Sequence, residues 1–143
     1  MTDPGTRPWL PLAARALHEA GRRDLPAASA TVRQLQTEHG PDAIPEAMLA
    51  WIDTALHAAG IDDYGQPRQL AFYNLTTGEA TENSNDLRPE VAWAARLINA
   101  RAADDEPAFR ALIDSATTTE ATWGRHVMEL LVVCALSARA ASA

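Results

Sequence analysis

Two stretches decide how this chain folds: PWLPLAARALHEAGRRDLPAASA at residues 8–30 and PEVAWAARLINARAADDEPAFRA at residues 89–111. Laid over each other they match Pro8 with Pro89, Ala13-Ala14-Arg15 with Ala94-Ala95-Arg96, Asp24 with Asp105 and Pro26 with Pro107. Alanine matches alone would mean little in a chain with 30 alanines, but the paired prolines, aspartates and arginines carry information that composition does not. After a one-residue deletion the match resumes, with Met48 on Met128 and Ala55-Leu56 on Ala135-Leu136. We read a duplication. It predicts an all-α fold, a six-helix bundle of two three-helix halves, residues 8–60 and 88–141, related by an approximate two-fold axis. A connector at 61–87 joins them within a single domain.

Apolar spacing sets the helices. Leu10, Ala13, Leu17 and Ala20 form one helical stripe, with Gly21 as its stop. Asp24 followed by Leu25-Pro26 is a helix start: a carboxylate accepts first-turn N–H groups, and proline there has no N–H to lose. Ala28, Val32 and Leu35 are expected inward, and His39-Gly40-Pro41 ends that segment. A third helix from about Asp42 carries Ile44, Met48, Trp51, Ile52 and Ala55 on one face. In the second half Val91, Ala94, Ala95 and Ile98 make a stripe, and Phe109, Leu112 and Ile113 face inward on the next helix. Thr117 and Glu120 have capping-box spacing before a last helix. That helix is apolar all round from Leu130 to Leu136, which predicts the most enclosed element of the fold. With so many small alanines inside, Trp51, Trp93, Trp123, Phe109, Met48 and Met128 must supply much of the burial, at the centre or in a buried interface.

Composition narrows function. The 143 residues hold 19 acids and 12 bases, every base an arginine, for a net charge of −7. That balance argues against nucleic acid, whose binding rewards a basic face. No apolar run reaches membrane-spanning length, and the opening MTDPGTRPWL lacks a secretion signal, so a cytoplasmic protein is expected. Cys134 is the single cysteine and is expected as an inert core thiol. No nucleophile–base set, phosphate-cradling loop or repeated Glu-x-x-His motif is present. His126 with Glu129 and Asp53 with His57 have helical metal-ligand spacing but lack the further ligands a di-metal bundle needs. No catalytic, cofactor or metal residue is therefore assigned.

The connector differs in character. From Ile61 to Glu90 it carries six acids and two arginines, so most of the net negative charge lies there. Gln69 to Leu75 and Glu79 to Glu82 read as a short hairpin around Thr76-Thr77-Gly78. Two strands are marginal alone, so the hairpin must lean on the helices or pair with a copy in a second subunit. Tyr64, Phe72 and Tyr73 either cover the bundle or form an interaction patch. Arg15 and Arg96 hold matched positions and either make ion pairs inside their own halves or clamp a shared anion.

The stretch LTTGEATENSNDLRPEVAWAARLINARAADDEPAFRALI, residues 75–113, resembles small, uncharacterised alanine-rich helical proteins of high-GC actinobacteria. The resemblance rests on the TGE turn, the PEV helix start, the ARLI segment and the aspartate-led helix. It implies an all-helical fold and a cytoplasmic setting, and it transfers no activity. Taken together, the expectation is a non-enzymatic helical protein acting through protein–protein contacts or self-association, as a homodimer. The alternative is a ligand-binding protein or enzyme with a cleft between the halves near Trp93, Arg15 and Arg96.

Overall fold

The structure is a computed structural model. It describes residues 7–65, 72–73, 80–81, 89–117 and 119–142, with side chains described for all of these except 72–73, 80–81, 120 and 139–142. Among them run six helices: α1 (Leu10–Gly21), α2 (Leu25–His39), α3 (Ala43–Ala58), α4 (Pro89–Ala102), α5 (Glu106–Ala116) and α6 (Glu120–Ser142). Two short strands, β1 (Phe72–Tyr73) and β2 (Ala80–Thr81), pair antiparallel between the helical halves, Phe72 opposite Thr81 and Tyr73 opposite Ala80. Of the strands expected at 69–75 and 79–82, these four residues are the ones described, and the rest lie outside the described residues.

Two corners share one geometry. At the end of α1 the N–H of Arg23 donates to the Ala20 carbonyl and that of Asp24 to the Glu19 carbonyl. At the end of α4, Asp104 and Asp105 donate in the same way to Arg101 and Ala100. Both are the paired closing bonds that cap a helix when the chain turns left-handed. The turn is made without glycine, by Arg23 at φ 61° and Asp104 at φ 55°, a conformation that costs an L-residue roughly 1 kcal/mol or more. The next residue then starts the following helix: the Asp24 carboxylate accepts from the Ala27 N–H at 3.3 Å, and Asp105 accepts from Ala108 at 3.2 Å. Gly21, expected as the stop, is instead the last helical residue. A methyl group added there would stand 3.9 Å from the Ala135 Cβ, which shows how near α1 comes to α6.

The core is centred on α3, α4 and α6. Ile44, Met48, Trp51, Ile52 and Ala55 are buried as expected on α3, as are Val91, Ala94, Ala95 and Ile98 on α4. Other expectations need correction. On α1 the inward stripe is Ala13, Ala16 and Ala20, with Trp9 buried just before the helix, while Leu10 is 43% exposed. The bulkier indole one position earlier takes the inward place. On α2 the buried residue of the middle turn is Thr31, with Val32 only half-buried. Thr31 tolerates burial because its hydroxyl donates to Glu19. The helix closed on most sides is α4, buried at Val91–Ala95, Leu97, Ile98, Ala100 and Ala102; on α6, Val132 and Leu136 remain half-buried. The α6 cap is Thr119, whose hydroxyl accepts from the Thr122 N–H at 3.0 Å. Thr117 instead bonds back to the Asp114 carbonyl, so the Thr117–Glu120 box is not used. Finally Phe109, Trp123 and Met128 pack against the core only partly buried.

Candidate functional site

The helices leave a trough between α2 and α6. α2 and α6 each pack on α1 and α3 but hardly on each other. The gap between them is a trough of about 530 Å³ with Ile44 of α3 among its lining residues. Along α2 the lining positions are Leu25, Ser29, Val32, Arg33 and Gln36; along α6 they run from Ala121 to Val132 and include Arg125, Val127, Met128 and Glu129. At 1.5 Å per residue each wall is about 16 Å long, three turns of helix. Trp123 overlooks the trough, and Leu25 is 46% exposed to it. Gly124 lines it from the second turn of α6, and a Cβ added there would meet nothing within 4 Å among the described residues. Arg33 and Arg125, both exposed, stand among the lining residues with no ion-pair partner among the described residues. Glu90 also lines it, in the first turn of α4, where the helix dipole favours its charge.

A second groove of about 450 Å³ lies against α5, lined by Leu49, Glu106, Phe109, Arg110 and Ile113 among others. The sequence alignment pairs Leu25 with Glu106, Ser29 with Arg110, Val32 with Ile113 and Glu129 with Leu49. Here the cations are matched: Arg110 bonds Glu106 at 2.7 Å, one turn away.

The most concentrated polar cluster ties α3, α4 and the start of the connector. Arg101 donates to both carboxylate oxygens of Asp53, at 3.0 and 3.1 Å, and lies 5.2 Å over the Tyr64 ring. The Tyr64 hydroxyl donates to Asp53 at 2.7 Å. Burial first, then the bond to the Asp53 carboxylate and its negative charge, push the Tyr64 phenol up to about 12. The hydrogen bond to Asp53 is likewise the main cause holding Arg101 above the ordinary guanidinium value. Every group in this cluster has a partner. Its chemistry is that of a clamp.

The residues singled out from sequence are not gathered into one site. Tyr64 joins the clamp. Trp93 is buried, donates its indole N–H to the Leu112 carbonyl at 2.7 Å and meets the His126 ring edge-on at 4.9 Å. Arg15 pairs with Glu19 on its own helix at 3.6 Å, and Arg96 is exposed on α4. Phe72 and Tyr73 are placed by backbone alone, in β1. The possible metal ligands are used otherwise: His126 Nδ1 bonds the Thr122 carbonyl, and His57 bonds Asp62. No group of three or more His, Cys, Asp or Glu among the described residues is arranged to hold a metal. Burial alone drives the Cys134 thiol far above its usual value. No helix among the described residues is long and apolar enough to cross a membrane. No family model, curated protein or solved structure matches the chain.

Val32, Ile44, Trp123 and Met128 read as core residues from the sequence, and the trough that they line did not register. Leu25-Ser29-Val32-Gln36 mixes apolar and polar types, so it does not register as a core stripe. The available signal was Gly124, a glycine inside a helix, which costs about 1 kcal/mol against alanine and asks for a reason.

Proposed function

We propose that this chain is a non-enzymatic helical binding protein that acts through protein–protein contact, with the α2–α6 trough as its working surface. The observation that carries this reading is the open apolar lining: Leu25, Val32, Trp123 and Met128 leave large side chains accessible along one trough, while the polar clusters elsewhere are internally satisfied. Self-association as a homodimer, a cytoplasmic location and kinship with the alanine-rich actinobacterial proteins belong to the same proposal. So does the duplication, which is supported by the two like corners at Arg23 and Asp104 and by the alignment-paired positions lining both grooves. The β1–β2 ladder fits a longer hairpin available for pairing with a second copy. Sedimentation velocity at micromolar concentration tests self-association directly, and a concentration-dependent dimer is expected. The contact reading fails if the chain stays monomeric across that range.

A second reading is favoured by the same location. The trough lies between elements of the two halves and falls within the size of small-molecule sites, so a ligand-binding or enzymatic cleft is the alternative. It sits at Arg33, Trp123 and Arg125, away from the expected Arg15, Trp93 and Arg96. A thermal shift with any member of a metabolite panel would favour it.

A further inference from the structure

We infer that α5 is a hinged cover, which opens as one unit about the Asp104 corner while the other helices stay folded, and that Trp93 is the pin holding it shut. The burial pattern sets this helix apart. α5 buries a single residue, Ala116, whereas every other helix buries three or more. Its apolar face, Phe109, Leu112 and Ile113, is only half-buried, and it rests chiefly on α4. Its polar bonds close on themselves. Arg110 pairs with Glu106, the Ser115 hydroxyl donates to the Leu112 carbonyl and the Thr117 hydroxyl to that of Asp114. The cap is equally local, with Asp105 accepting from Ala108. Among the described residues one hydrogen bond ties α5 to another helix: the Trp93 indole N–H of α4 on the Leu112 carbonyl, at 2.7 Å. The helix that the alignment pairs with it, α2, starts from a like corner with a like cap, yet it buries Ala28, Thr31 and Leu35 and ties Thr31 to Glu19 of α1. A helix with few buried contacts and self-contained hydrogen bonds opens at a smaller free energy than the whole domain unfolds. The opened form bares the Trp93 ring and the face of Phe109, Leu112 and Ile113, apolar surface that the closed fold keeps covered or half-covered.

Native-state amide exchange of the full chain, followed through sub-denaturing guanidinium, tests the cover. The amides of residues 109–116 are expected to share one free energy of exchange, below that of α3, with a denaturant slope above zero but smaller than the global one. Two variants then locate the opening. Asp24→Ala removes the matching cap of α2, so α3 amides, which exchange through global unfolding, should quicken about fivefold. α5 should hold its rate, because α2 stays folded in the opened form. Trp93→Phe keeps an aromatic ring but removes the N–H donor, and α5 should then exchange about fivefold faster. If α5 quickens in step with α3 in Asp24→Ala, it opens only with the whole domain and the inference falls. It falls equally if the α5 amides exchange one by one without a denaturant slope, which is fraying, or if Trp93→Phe leaves their rates unchanged.

Discussion

The trough between α2 and α6 and the groove against α5 share four lining positions that the sequence alignment pairs, yet their surfaces differ. Against α5 the wall is short, Phe109 intrudes and the nearest cation is tied to Glu106. Between α2 and α6 the walls run on, Gly124 opens a gap, and Arg33 and Arg125 have no ion-pair partner among the described residues. One groove thus ties its cation to a neighbour on the same helix, and the other leaves large apolar side chains accessible along its length.

The sharpest way to break this comparison is through the tryptophans that pin each half. Trp51 of α3 donates its indole N–H to the Ala13 carbonyl of α1 at 2.9 Å and is fully buried. Trp51→Ala should cost about 3–5 kcal/mol, from the cavity and the orphaned carbonyl together, read as a fall in the denaturant midpoint. Trp93→Ala should cost less in global unfolding, because the helix it pins, α5, rests chiefly on α4 and can open locally. If α5 amides exchange no faster in that variant, the two halves are more alike than the grooves indicate.

The clamp between the halves comes next. Asp53→Asn removes the charge that Arg101 grips, and with both partners a third or more exposed the loss should be only about 1 kcal/mol. Tyr64 adds a pH signature. Its phenol is raised in the folded state, so the neutral form is the one folding favours. Its stabilising contribution is complete below about pH 10 and disappears as pH rises from there toward about 12. Unfolding measured across that window should show a falling midpoint, and Tyr64→Phe should flatten the fall.

The smallest effects are gains. Arg23→Gly and Asp104→Gly each relieve a left-handed residue and should raise stability by up to about 1 kcal/mol. The gain should be the smaller at Asp104, whose charge favours the neighbouring Arg101. Gly124→Ala should add about 0.5–1 kcal/mol, since the added methyl meets nothing.

Much of this architecture was legible locally. Asp24-Leu25-Pro26 and Asp105-Glu106-Pro107 announce helix starts because a cap and a proline act within four residues. The inward faces of α3 and α4 follow from spacing alone. What failed were choices between adjacent residues, such as Trp9 over Leu10 and Thr119 over Thr117, which depend on which neighbour arrives from elsewhere in the chain. The clamp was illegible for the same reason. Asp53 invites pairing with His57 one turn on, and only the folded chain brings Arg101 to it from 48 residues away. The trough is a shape left between helices that do not touch, and spacing within a single helix does not encode such a shape.

The most direct test is an amide shift map of the labelled protein recorded across a dilution series through the micromolar range. Perturbations confined to residues 25–36 and 121–132, with residues 106–113 unmoved, are the predicted result. Shifts gathered on residues 106–113, or spread evenly over both grooves, would contradict a contact surface between α2 and α6.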